Sequence, residues 1–321
     1  MPGGTGGQPS CRPLASRHLP DQSASHTLVW SSWHTATDKA RLKDETLDAS
    51  HKVPSELEQD PGSAPPPSRH KFDRDFRAMD RGGRTITACY LDAYGEEAVP
   101  DADPYSAIAL SELQWLIRSA RLARGQIVVD LGCGRGGPGR VLARSTSVRL
   151  IGIDFSIVGV TSAATRAAGM VPRPAYIACD ARAIPLADHS VDAVISIDVL
   201  QLIPERELVL REVARVLRPA GFIAFSSWEL IAEDESVPPR LRRLPRDYTA
   251  VVAAAGLRVR DLQVPKGARE REAAFWANVT ASADELRREL GEETAASVLG
   301  EASLANIFAV STRRVLCVAQ S

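Results

Sequence analysis

Five glycines fall within the eight positions 132–139 of "QIVVDLGCGRGGPGR", directly after a short apolar run. A loop of this kind lets backbone approach a partner that a Cβ would hold away. Gly132, Gly134 and Gly137 match the G-x-G-x-x-G spacing of a dinucleotide site, a pattern too common to carry weight alone. Acids recur at comparable places: Asp130 in "VVDLG", Asp154 in "GIDFS", Asp180 in "CDA" and Asp198 in "SIDV". Carboxylates suit hydroxyls, amines and a sulfonium, and they repel the phosphates of a dinucleotide.

These residues need elements to hold them. "QIVVDL" reads as a strand, "GPGRVLARS" opens a helix, "VRLIGID" is a strand, "SIVGVTSAATRAAG" is a helix that Ser156 caps, and "AYIAC" is a third strand. "VDAVISI" supplies a fourth strand and "PERELVLREVARVLRPA" a helix with Leu208, Leu210, Val213 and Leu217 on one side. "GFIAFSSW", "LRVRDLQV" and "RRVLCVAQ" supply three more strands, the last two separated by a helical stretch from about 269 to 300. Upstream, "PYSAIALSELQWLIRSARL" reads as an amphipathic helix with Pro104 in its first turn. Such alternation predicts a mostly parallel, doubly wound α/β sheet with helices on both faces. In such a sheet ligands bind beyond the carboxyl ends of the strands, where all four acids fall.

"VVDLGCGRG", "GIDFS", "CDA", "VDAVISID" and "LREVARVLRPAGFIAFS" stand in the order and spacing of the class I S-adenosylmethionine-dependent methyltransferases, which the chain resembles over roughly 126–228. The resemblance implies a seven-stranded Rossmann-like sheet with its last strand inserted antiparallel, and S-adenosylmethionine as cofactor. By matching position, Gly132, Cys133 and Gly134 admit the methionine part and Asp130 helps hold its amino group. Asp154 takes the ribose hydroxyls, Phe155 lies against the adenine, Asp180 pairs the adenine amino group and the Ala181 backbone pairs its ring nitrogen. Ile197 and Asp198 close the pocket. Cys133 reads as a small residue tolerated in the loop and Arg135 as a solvated loop charge. The "GCGRGGPG" and "YGEE" segments resemble bacterial enzymes that tailor secondary metabolites.

Residues 1–70 show no sustained period and read as a disordered extension, leaving 71–321 as the catalytic domain. Three segments of it, about 71–105, 229–247 and 266–305, leave the sheet at its ligand edge and are expected to form a lid. Tyr90, Tyr94, Tyr105, Trp228 and Trp276 are the candidate walls of an acceptor pocket. Five of the six histidines lie at or before position 70, so His189, just ahead of the fourth strand, is the only one in the domain. Its position puts it at the edge away from the cofactor. Gln201 stands where many relatives carry a histidine, which leaves Asp198 as the candidate base and no base assigned.

A net charge of -1 over 321 residues gives no bulk attraction for nucleic acid or anionic membrane. No apolar run reads as long enough for a membrane span and the N-terminus lacks the basic-then-apolar order of a secretory signal, which predicts a cytoplasmic protein acting on a small molecule. Five scattered cysteines offer neither a disulfide framework nor a metal site. The expected activity is O- or N-methylation of a small organic acceptor. Competing readings are an NAD(P)-dependent oxidoreductase, supported by glycine spacing alone, and a non-catalytic binding protein of the same fold.

Overall fold

Runs such as Ile127–Leu131 and Val191–Ile197 are apolar at nearly every position, so both of their faces need cover. The structure, a computed structural model, describes residues 68–101, 107–232 and 237–321. Ahead of the sheet stand α1 (Arg69–Gly82), α2 (Arg84–Tyr94) and α3 (Leu110–Ser119). β1 (Ile127–Leu131), α4 (Gly137–Thr146), β2 (Arg149–Asp154), α5 (Ile157–Arg166) and β3 (Ala175–Ala178) then alternate. Next come β4 (Val191–Ile197), α6 (Arg206–Val216), β5 (Leu217–Leu230), α7 (Pro239–Arg242), α8 (Tyr248–Ala254) and β6 (Arg258–Gln263). Finally α9 (Ala268–Ala281), α10 (Ala283–Leu290), α11 (Glu292–Ala302) and α12 (Ala305–Ser311) lead into β7 (Thr312–Gln320).

The strands form one seven-stranded sheet in the order β3-β2-β1-β4-β5-β7-β6. β1 to β5 are parallel, and β7 runs antiparallel between β5 and β6, as expected. Alternate side chains along β1 reach opposite layers. Val129 and Leu131 pack with Val209 and Val213 of α6 and Tyr248 of α8. Val128 packs with Leu113 and Leu116 of α3 and Leu142 of α4. Each of these leucines is fully buried, which stabilises the fold by about 1.5–3 kcal/mol apiece. A third core joins Met79 of α1 and Tyr90 of α2 to Phe275 of α9, Leu286 of α10 and Val298 of α11. The segment before β1 and the insertion between β6 and β7 therefore make one helical cap.

Several expectations are corrected. α3 begins at Leu110, not near Pro104, because residues 107–109 are held extended: Tyr90 Oη and Tyr94 Oη each donate at 2.8 Å to Ile108 O and Ala107 O, and Ala98 bridges Ala109. Leu208 is 46% exposed, and the buried stripe of α6 is Val209, Leu210, Val213 and Val216. The stretch after β6 is four helices, broken at Ser282, Gly291 and 303–304. Within it Glu292–Ser311 has the length and mean hydropathy of a membrane span, which inspection of the sequence missed. It divides between α11 and α12 and buries Ala295, Val298 and Ala302 in the cap. Among the described residues, regular structure starts at Arg69, well ahead of the first helix read from the sequence. The reading of 1–70 as a disordered extension falls almost wholly outside the described residues.

Candidate active site

The loop after β1 is stitched to the end of β2: Gly132 N and Cys133 N donate to Ile153 O at 2.7 and 2.9 Å, and Gly134 N donates to Asp154 Oδ2 at 2.8 Å. Gly132 has φ +76°, and a Cβ there would lie 2.2 Å from Val199 Cγ2, so the Val199 side chain of the turn after β4 packs directly on the Gly132 backbone. At Gly139 a Cβ would lie 2.1 Å from Asp130 Oδ2, which places the Asp130 carboxyl under the first turn of α4. Part of the glycine crowding is thus demanded by the protein's own packing.

Asp130 and Asp154 are both buried. Burial, and then the neighbouring Asp154, pushes Asp130 up to about 7, with Arg140 pulling the other way. Burial also raises Asp154, although Ser156 N and Gly134 N donate to it at 2.8 Å each. Two buried acids, one of which raises the other, favour a cationic guest. Burial pushes the Cys133 thiol well up, so it is no nucleophile. Asp180 is gripped by Arg182, whose Nη2 donates to Oδ2 at 2.7 Å, and these bonds hold its carboxyl below the usual range. Ala181 is half-buried beside it, and Ile197 points into the core layer of α3 and α4.

Asp198 has φ +58°, and its carboxylate is already occupied. Ser226 Oγ and Arg314 Nη1 donate to Oδ1 at 2.8 and 3.0 Å, and Arg314 Nη2 donates to Oδ2 at 3.3 Å. Arg314 Nε donates in turn to Glu112 Oε2 at 2.8 Å, and Arg271 Nη2 donates to Glu112 Oε1 at 3.0 Å. This buried chain of charges runs from β4 through β7 and α3 to α9. Sequence reasoning missed Arg314, Glu112 and Arg271; the available signal was a pair of arginines opening the apolar strand "RRVLCVAQ".

α1 lies over the glycine loop. Phe76 Cζ sits 3.3 Å from where a Gly134 Cβ would be, and the Phe72 and Phe155 rings meet edge-on at 5.3 Å. Arg135 is 4% exposed and pairs with Asp80 of α1 at 3.0 Å, which corrects its reading as a solvated charge. Asp80 also receives Arg166 Nη2 and Ser162 Oγ at 2.9 Å each.

Trp228 and Trp276 line one cleft, with Arg269, Glu272 and Phe308. Arg314 lies 5.3 Å from the Trp228 ring centroid, so the cleft adjoins Asp198. Tyr90 is a core residue of the cap, 1% exposed, and Tyr94 is buried with Arg271 facing its ring. Tyr105 lies outside the described residues. His189 is exposed ahead of β4, its Nδ1 2.9 Å from Leu217 O at the start of β5, at the edge remote from all of these groups. Gln201 Oε1 accepts from Ser227 Oγ at 3.1 Å.

Residues 129–225 match a family model described as a methyltransferase domain. The chain is 32% identical over 152 residues to the methyltransferase GfsG of Streptomyces halstedii, covering 46% of this chain and 55% of that one. It is 31% identical over 143 residues to the sterol 24-C-methyltransferase erg6 of Aspergillus fumigatus (44% and 37% covered). With the 27-O-demethylrifamycin SV methyltransferase of Amycolatopsis mediterranei it shares 34% identity over 137 residues (41% and 50%). The chain thus spans about half the length, or less, of these relatives. Among solved structures, the [4+2]-cyclase SpnF superposes with a TM-score of 0.62 at 21% identity, over 78% of this chain and 95% of that one, a likeness of fold.

Proposed function

From the premise that the chain carries a class I S-adenosylmethionine-dependent methyltransferase domain, we propose that it methylates a hydroxyl or amine of a small organic acceptor. The observation that carries this reading is the set of acids at the carboxyl edge of the sheet, with Asp130 and Asp154 buried together beneath the glycine loop. An ammonium and a sulfonium relieve that pair, where a pyrophosphate would aggravate it. Asp154 and Phe155 are assigned to the ribose and adenine, Asp180 and Ala181 to the adenine edge, and Gly132, Cys133 and Gly134 to the methionine part. Ile197 and Asp198 close the pocket.

When bound, the cofactor supplies a methyl group already activated on sulfur. What the chain must add is alignment and the exclusion of water, since an in-line displacement gains most from a collinear, dry arrangement. The segments 71–105, 229–247 and 266–305 serve as the lid, and the cleft of Trp228 and Trp276 as acceptor site. The names of two relatives state different methylated atoms, oxygen in one and carbon in the other. The polar side chains Arg269 and Glu272 in this cleft favour a heteroatom.

Calorimetric titration with S-adenosylmethionine and with NADPH tests the reading. S-adenosylmethionine is expected to bind, and Asp154→Ala to weaken it by about 1.5–3 kcal/mol in a folded variant. Tighter binding of NADPH returns the oxidoreductase reading. Cofactor binding without transfer of labelled methyl to a panel of alcohols, phenols and amines favours the non-catalytic one.

A further inference from the structure

The cleft at the end of β5 holds a carboxyl that the reading above uses only as a polar wall. Glu272 sits on α9 one turn before Trp276, whose Nε1 donates to Glu272 Oε1 at 3.4 Å. Trp228, Phe308 and Arg269 complete the walls around it. Within electrostatic reach stand Asp198 after β4, Arg314 of β7, Glu112 of α3 and Tyr94 of α2. Arg314 directs its hydrogen bonds to Glu112 and Asp198, and among the described residues Glu272 makes no ion pair. It is therefore a carboxyl with one long indole contact, set in an aromatic cleft beside Asp198.

Resting on the methyl-transfer reading, we propose that Glu272 is the catalytic base, taking the proton of an acceptor hydroxyl or amine admitted to this cleft when the touching rings of Trp228 and Phe308, 4.7 Å apart at their centroids, part. The acceptor's lone pair forms the new bond to the methyl carbon as the carbon–sulfur bond breaks, and that electron pair remains on sulfur as a neutral thioether. The proton lost by the nucleophile goes to the Glu272 carboxylate, which becomes a neutral acid and releases it to solvent after the product leaves. Burial drives Glu272 up to about 7, with Arg314 pulling down and Asp198 and Glu112 pushing further up. A base near neutrality is both available in its ionised form and strong enough to accept a proton. Asp198 is less suited, because Arg314 and Ser226 already donate to it.

The first test needs no acceptor. Tryptophan fluorescence of the full chain is followed from about pH 5 to 9 for the parent, Glu272→Gln and Glu272→Asp. The parent is expected to show a transition near pH 7, absent in Glu272→Gln and displaced in Glu272→Asp, since the Trp276 indole reports the charge beside it. A Glu272→Gln curve that retains the transition overturns the proposal. The second test uses whichever alcohol, phenol or amine the panel shows to be methylated. Glu272→Gln is expected to lower kcat by roughly 10²- to 10⁴-fold, with the S-adenosylmethionine Kd unchanged. A folded variant within tenfold of the parent overturns the role of Glu272 while leaving methyl transfer intact. Failure of S-adenosylmethionine to bind the parent overturns both.

Discussion

At Asp130 the carboxyl keeps its proton up to about 7, because it is buried with Asp154 as a like charge nearby. A cation bound against it must pull that proton off. S-adenosylmethionine binding at about pH 6 is therefore expected to release a proton, seen by calorimetry in buffers of different ionisation enthalpy, and to tighten as pH rises toward 7. Asp130→Asn should abolish the release; the same release from the variant would remove Asp130 from the binding linkage. His189 makes the opposite case. It precedes β4, and the run from Val191 to Ile197 sets roughly 20 Å of strand between it and Asp198. His189→Ala is expected to keep kcat within about tenfold, whereas loss of a working base costs roughly 10²- to 10⁴-fold. A thousandfold loss in a folded variant would mean that this histidine reaches the chemistry after all.

Among the elements, α1 links the cap to the glycine loop. Its apolar face is "FDRDFRAM", from which Phe72, Phe76 and Met79 are buried, while Asp73 and Asp80 reach Ser156 and Arg135. Phe76 bridges two surfaces, since its ring also lies 3.0 Å from where a Gly159 Cβ would stand. Phe76→Ala is expected to cost about 3–5 kcal/mol, the usual range for emptying a buried aromatic site. It should also speed S-adenosylhomocysteine release, measured by denaturant unfolding and stopped-flow displacement. Loss of stability with an unchanged off-rate would make α1 a structural brace and not a cover. The parallel strands were legible as elements because their apolar runs are bounded by Gly, Pro and Asp. α1 was overlooked because its charged residues dilute the apolar stripe, and the Pro-rich stretch just ahead of it suggested a longer tail.

For the molecule as a whole, the cap is one core built from segments far apart in the chain, with Tyr90 of α2 against Phe275 of α9. The domain therefore has to begin before α1. Ser68 is the N-cap, its Oγ accepting from Lys71 N at 3.3 Å, so residues 68–70, assigned to the extension from the sequence, belong with α1. Removal of residues 1–67 is expected to leave Tm and cofactor affinity nearly unchanged, because that stretch has too little periodic apolar content to join the core. Removal of 1–83 deletes α1 and should lower Tm sharply. A large drop from the shorter truncation alone would show that the first 67 residues contribute to the fold.

By itself the sequence determined the alternation of strands and helices from β1 to β5, the Ser156 cap and the gathering of four acids at one sheet edge, while the insertion of β7 followed from the family resemblance. The first three follow from local rules: period two or 3.6, turn residues at fixed offsets, and the common polarity of parallel strands. Only the tertiary structure decided that Arg135 is buried against Asp80, that Leu208 faces outward, and that Arg314 ties Asp198 to Glu112, a bond spanning 202 positions. It also decided that Glu272 stands in the aromatic cleft. A charge on a helix carries no sequence mark of the partner it will meet. Whether it is solvated, paired or left with a raised pKa is set by which distant elements close over it, and that is a property of packing.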